Sequence, residues 1–236
     1  MEAAGTQSAQ VRWSAAGVPV SAGYGDSFFA ETDGLAESRY VFLAGNGLPE
    51  RFAKGFTIAE LGFGTGLNAL AAALAWRASG ADGKLAFTSF EAYPMDADDM
   101  DRALARWPEL CADRSELVSA WRRGDRQIAL DGLDLTVIEG DARETLPRWS
   151  GAADAWFLDG FAPACNPEMW EAALLAEVAR HTRSGGSAAT YSAAGSVRRT
   201  LATAGFEVTR RPGFGRKRHM TTARLLPSSC GQEQGP

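Results

Sequence analysis

Hydrophobic residues recur along this chain in two rhythms. Short apolar runs at 85–90, 133–138, 155–158 and 187–191 have the length of buried strands, and another leads from Thr57 to Leu61. Between them, alanine- and leucine-rich stretches at 67–78, 167–182 and 196–204 carry helical spacing, and glycines at 80, 83, 185 and 186 interrupt the pattern. Strands alternating with helices predict an α/β fold with a mostly parallel sheet. Two further runs, 206–211 and 219–226, are separated only by a short basic loop, which predicts an antiparallel C-terminal strand.

The pattern turns on one segment, Thr57-Ile58-Ala59-Glu60-Leu61-Gly62-Phe63-Gly64-Thr65-Gly66-Leu67-Asn68. An apolar run reaches an acidic residue, glycines follow at alternate positions, and a helix starts at once. Glycine lets the backbone bend sharply and approach a ligand, while the first turn of the helix points free N–H groups at the same place. Glu60, Gly62, Phe63, Gly64, Thr65, Gly66 and Asn68 are therefore candidates to hold a cofactor. The dinucleotide fingerprint needs its third glycine one residue later than this chain supplies it. The spacing here, with an acidic residue before it, is similar to that of S-adenosylmethionine methyltransferases, where glycine backbone faces the methionine part and ribose. A nicotinamide site and a glycine turn without ligand are the alternatives.

Other strand tips add polar groups on the same side. Glu91 closes the run 85–90, 25 residues after Gly66, where a carboxylate can accept both ribose hydroxyls; an ordinary strand-end glutamate is the alternative. Asp141 follows the run 133–138. In S-adenosylmethionine enzymes an Asp-Ala pair there reaches the adenine amine, and capping a helix is its other role. The run 155–158 delivers Asp159-Gly160-Phe161-Ala162-Pro163, a rigid loop able to hold a carboxylate and a flat ring around a substrate amine. An alkylamine has a reference pKa of about 10.4 and attacks a sulfonium methyl only when neutral. Asp159 is thus expected to orient the amine or take its proton, and Phe161 to stack on substrate or steady positive charge. A helix cap or turn is the alternative for Asp159.

The rest divides into a mobile leader at 1–10, a single domain at 11–226, and a disordered tail at 227–236. Within the domain, 11–55 is aromatic and glycine-rich and is expected to form short strands or a lid. Asn46 there is a candidate cofactor contact, or a turn residue beside two glycines. An inserted helical segment is expected at 95–133, with helices around 98–106 and 114–121.

Composition narrows the class. With 236 residues, 45% hydrophobic and 22% charged, the chain reads as one soluble globular domain. The apolar stretch 69–76 is too short for a bilayer and no secretion signal precedes it, so a cytoplasmic location is expected. Cys111, Cys165, Cys230, His181 and His219 lack metal-ligand spacing, and no metal is expected. A net charge of −5 gives no overall pull toward nucleic acid. Residues 210–218, however, hold five cationic side chains and no acid, which suits either a phosphate backbone or a solvated surface.

Arg39-Tyr40-Val41-Phe42-Leu43, the segment from Glu60 to Asn68, Asp154-Ala155-Trp156-Phe157-Leu158-Asp159-Gly160-Phe161-Ala162-Pro163, and Gly213-Phe214-Gly215-Arg216-Lys217-Arg218 resemble the methyltransferase domain of the MnmC family. The resemblance covers about residues 11–226. It implies a Rossmann-like class I S-adenosylmethionine-dependent methyltransferase that methylates the 5-aminomethyl group of the tRNA wobble uridine, often 2-thiolated, with the anticodon stem-loop as partner. The family's Asp-Gly-Phe-Ala-Pro loop falls on Asp159 to Pro163. Bifunctional members continue into a flavin-dependent oxidase domain. This chain is expected to act without one, as a stand-alone form or an excised domain, with its amine supplied by a separate flavin oxidase or an aminating enzyme. Cys165 stands where the family pattern has lysine, so RNA affinity is expected from Arg198, Arg199, Arg216, Lys217 and Arg218. A small-molecule amine N-methyltransferase and a non-catalytic RNA-binding module that keeps the cofactor for structure are the competing readings.

Overall fold

The computed structural model describes residues 8–226. A small antiparallel hairpin comes first, β1 (Val11–Trp13) and β2 (Pro19–Ser21), then α1 (Gly34–Ser38), a π-helical turn Arg39–Leu43 and a 3-10 turn Ala44–Asn46. There follow β3 (Thr57–Leu61), α2 (Leu67–Ser79), β4 (Leu85–Glu91), α3 (Ala97–Leu104), α4 (Cys111–Arg122), β5 (Gln127–Leu130) and β6 (Leu133–Glu139). The second half is α5 (Ala142–Thr145), β7 (Ala153–Leu158), α6 (Ala172–Arg180), β8 (Thr182–Thr190), α7 (Gly195–Thr203), β9 (Phe206–Pro212) and β10 (His219–Leu225).

Eight strands form one sheet in the order β5-β6-β4-β3-β7-β8-β10-β9. β6, β4, β3, β7 and β8 run parallel, and β10 is antiparallel to both β8 and β9, the mostly parallel arrangement expected. Strand side chains alternate between faces, so the sheet builds two cores. Ile58, Phe87 and Phe157 pack with apolar residues of α1, α2, α3 and α4, whereas Ala59, Leu61, Trp156 and Leu158 pack with those of α5, α6 and α7.

Two details differ from expectation. The insertion at 95–133 holds α3 and α4 but also an edge strand, β5, paired antiparallel to β6 from Gln127↔Thr136 to Leu130↔Leu133. Only its Ile128 and Leu130 are buried, too few for an apolar run to stand out. The Gly185-Gly186 pair, expected as a turn, lies inside β8 at a pairing irregularity: Ala153 faces Thr182, while Ala155 faces Ser187.

The strand order reverses beside β3: β4 and β6 step outward on one side, and β7 returns on the other. Ligands of such sheets sit beyond the C-terminal strand ends at that reversal. Because β10 opposes both its neighbours, β9 runs parallel to β8, and loop 213–218 lies at the same end of the sheet as the tips of β3, β4 and β7. Of the leader expected at 1–10, only residues 8–10 are described; Ala9 N–H donates to Pro94 O at 3.0 Å and Gln10 O accepts from Ala22 N–H at 2.8 Å. The rest of that leader and the tail at 227–236 lie outside the described residues. Among the described residues no helix is long and apolar enough to cross a membrane.

Asn46, a candidate cofactor contact, serves the scaffold instead. Its side chain is 2% exposed and donates to Phe42 O at 2.9 Å and Trp156 O at 3.2 Å. Its Oδ1 accepts from Ser187 Oγ at 2.6 Å, so the residue ties the 3-10 turn to β7 and β8. Asn46→Ala deprives both the Trp156 carbonyl and the Ser187 hydroxyl of a buried partner and is expected to lower stability by roughly 2–3 kcal/mol. Chemical denaturation reads that loss, and calorimetric titration of the folded variant is expected to show unchanged cofactor affinity.

Candidate active site

At the reversal the tips of β3 and β7 touch. Asp159 N–H donates to Leu61 O at 3.0 Å, and a Cβ at Gly62 would lie 2.7 Å from Asp159 O. Gly62 also has a φ of +91°, so this position needs glycine on two counts. Above the contact opens a cavity of about 740 Å³.

One half of the cavity suits the expected cofactor. Gly62, Phe63, Gly64, Thr65, Asn68, Glu91 and Asp141 all line it. Gly64 N–H donates to Glu91 Oε2 at 2.9 Å and Tyr93 N–H to Glu91 Oε1 at 2.8 Å, which aims the carboxylate at the tip of β4. Burial raises its pKa against the pull of those backbone donors. Asp141 caps α5, accepting from Arg143 N–H at 2.8 Å, and pairs with the Arg143 guanidinium at 2.6 Å, which keeps its pKa below the usual range. Phe63 stacks on Trp121 with centroids 5.1 Å apart.

Two candidates of the glycine segment do not reach the cavity. Glu60 lies beneath it, fully buried, accepting from Asn68 Nδ2 at 2.8 Å and Ser89 Oγ at 2.7 Å, and burial pushes its pKa well up. Gly66 caps α2 at a φ of +78°, and a Cβ there would come within 2.9 Å of the Phe63 ring. Its glycine answers to the turn. Asn68 does reach the cavity but faces two ways: the same Nδ2 that holds Glu60 donates to Asp159 Oδ2 at 2.7 Å.

The other half is acidic and aromatic. Asp159 and Phe161 line it together with Tyr24, Asp26, Phe28, Glu37, Tyr191 and Lys217. Phe161 lies 4.9 Å from the Tyr24 ring and 5.2 Å from that of Phe28. Asp26 Oδ2 accepts from Ala162 N–H at 2.9 Å, pinning the 159–163 loop to the N-terminal hairpin. Tyr191 hydroxyl donates to Gly160 O at 2.8 Å. Burial, and next the negative charge of Glu37, outweigh the Asn68 hydrogen bond and raise the Asp159 pKa to about 7. Sequence reasoning placed Asp159 and Phe161 here through their loop and gave residues 11–55 only as a lid; Tyr24, Asp26, Phe28, Glu37 and Tyr191 come from separated segments without a motif.

The cationic candidates divide. All three residues of Arg216-Lys217-Arg218 are exposed, but Lys217 lines the cavity and pairs with Glu37, whereas Arg216 and Arg218 form no ion pair among the described residues. Arg198 and Arg199 sit in the N-terminal half of α7, outside the cavity lining, half-buried and exposed respectively. Cys165 is exposed in the turn after Pro163, also outside the lining.

A family model described as S-adenosyl-L-methionine-dependent methyltransferase matches residues 108–225. The tRNA 5-methylaminomethyl-2-thiouridine biosynthesis bifunctional protein MnmC of Caulobacter vibrioides is 49% identical over 221 residues, covering 89% of this chain and 37% of that protein. Its namesake in Stutzerimonas stutzeri is 44% identical over 241 residues, covering 98% of this chain and 36% of that protein. The chain thus spans little more than a third of those relatives. The crystal structure of MNMC2 from Aquifex aeolicus superposes with a TM-score of 0.72 at 26% identity, covering 95% of this chain and 73% of that one.

A methyl group at position 62 collides with the Asp159 carbonyl and imposes an unfavourable φ. Gly62→Ala is expected to weaken binding of S-adenosylhomocysteine by about tenfold or more, as for other strained backbone positions. Isothermal titration calorimetry measures this directly.

Proposed function

Because the chain belongs to a family of S-adenosyl-L-methionine-dependent methyltransferases, we propose that it methylates the nitrogen of the 5-aminomethyl group on the wobble uridine of tRNA, working in the cytoplasm on an amine delivered by an oxidative or aminating reaction. One observation carries the reading: a half-buried carboxylate, Asp159, stands where the two halves of the cavity meet, and its Oδ1 has no protein partner among the described residues.

The cofactor half fits S-adenosylmethionine. Gly62 and Gly64 line it with backbone alone, and Glu91 offers a carboxylate where ribose hydroxyls need an acceptor. When bound, the cofactor supplies an electrophilic methyl group. The chain's own residues handle the amine.

A protonated amine is drawn to a wall where Asp26, Glu37 and Asp159 outnumber the single lysine, Lys217. Asp159 Oδ1 accepts one ammonium proton, which exposes the nitrogen lone pair; the methylated nitrogen then keeps its remaining protons as a secondary ammonium. Phe161, Tyr24 and Phe28 offer faces on which a flipped-out base can stack. With the chemistry confined to proton transfer and alignment, no covalent enzyme intermediate is required.

The pH dependence follows from the sign of the shift. Asp159 accepts a proton only when ionised, and its pKa is raised to about 7, so kcat/KM is expected to climb as pH rises through about 7. The decisive assay is mass spectrometry of nucleosides from tRNA carrying 5-aminomethyl uridine, after incubation with the protein and methyl-labelled S-adenosylmethionine. Labelled methylaminomethyl uridine is the expected product. Asp159→Asn is expected to keep cofactor binding and lose turnover by about 100-fold or more. Labelling of free amines in place of tRNA would overturn the RNA assignment.

A further inference from the structure

The basic loop between β9 and β10 was expected to suit either a phosphate backbone or a solvated surface, but its Lys217 does something else. Gly213 N–H donates to Arg218 O at 3.1 Å and Lys217 N–H to Phe214 O at 3.0 Å, closing the loop on itself. A Cβ at Gly213 would lie 2.2 Å from Lys217 O, so the tightness of the loop depends on that glycine. The closure turns Lys217 inward. Its Nζ sits 2.9 Å from Glu37 Oε1 and 3.8 Å from the centroid of the Tyr191 ring. Glu37 is itself fixed, since its Oε2 accepts from Ala30 N–H at 3.0 Å and the residue is 7% exposed. Arg216 and Arg218, on either side, are exposed like Lys217 but lie outside the cavity lining.

We propose that Lys217 is a positioning residue for methyl transfer: its ammonium, held on Glu37 and Tyr191, latches the hairpin loop onto α1 and sets the charge around Asp159, while Arg216 and Arg218 carry affinity for the RNA backbone. Substrate docked on the outer face of the loop is thereby coupled to the acceptor wall on its inner face. The inference deepens the tRNA reading and rests on it for the RNA half.

The charges facing Asp159 come from every element packed on it: Asp26 after β2, Glu37 of α1, Glu60 of β3 through Asn68, Tyr191 after β8, and Lys217 of the loop. Lys217 lowers the Asp159 pKa and Glu37 raises it. Removing either partner of the ion pair breaks the same latch but changes that charge in opposite directions.

The test compares Lys217→Met, Glu37→Gln and the Arg216→Ala/Arg218→Ala pair on tRNA carrying 5-aminomethyl uridine, alongside NMR titration of the carboxyl carbon of Asp159 in protein bound to S-adenosylhomocysteine. In Lys217→Met the acid limb of kcat/KM and the carboxyl titration are expected to move to higher pH, with kcat down about tenfold and KM for tRNA little changed. Glu37→Gln is expected to move both to lower pH. The arginine pair is expected to raise KM for tRNA and leave the titration in place, and Lys217→Arg to restore the wild-type titration. Shifts of the same sign in Lys217→Met and Glu37→Gln, or none, overturn the inference. If wild-type protein modifies no tRNA, the functional reading fails, and the carboxyl titration still decides whether Lys217 tunes Asp159.

Discussion

The tips of β3 and β7 come into backbone contact at Gly62 and Asp159, and the pocket depends on that contact. Where the strand order reverses, the segments that follow neighbouring parallel strands leave in opposite directions, and the crevice between them takes the ligand. Here the missing side chain of Gly62 lets the Asp159 carbonyl come so near that a Cβ would sit 2.7 Å away. The chain then leaves β7 with the Asp159 carboxylate against α2, within reach of Asn68. The proposed cofactor half and the proposed acceptor half therefore meet at one backbone contact.

Buried carboxylates are costly, and this protein keeps Glu60 at the centre of its sheet, unreachable by ligand. The arrangement makes sense as support. Ser89 and Asn68 satisfy Glu60, and Asn68, so held, has its amide aimed at Asp159. An apolar residue at position 60 would leave that amide free to turn. The same logic applies at Glu91, whose two backbone donors fix its direction as well as offset its desolvation.

Much of this was open to sequence reasoning, and the failures have physical causes. The strands were visible as apolar runs because the sheet is covered on both faces, and the glycine turn because positive φ at 62, 64 and 66 leaves few other choices of residue. Edge strand β5, half exposed, carried too little apolar signal. Glu60 and Asn46 were placed near the cofactor because one-dimensional proximity does not say to which face of a strand or turn a side chain points. Asp26, Glu37 and Tyr191 were invisible as site residues: each is an ordinary residue in its own segment and gains meaning only from what packs against it.

The proposed acceptor wall joins residues far apart in the chain. Asp26 holds Ala162 across 136 positions, and Glu37 holds Lys217 across 180. Chains emerge from the ribosome in order, and early portions can organise before late ones exist. The strands at the proposed cofactor half end by Leu158, whereas the proposed acceptor wall also needs the loop after β9. The contact between Glu37 and Lys217 thus ties the start of the domain to its last hairpin, and the proposed acceptor wall exists only when the whole domain is closed.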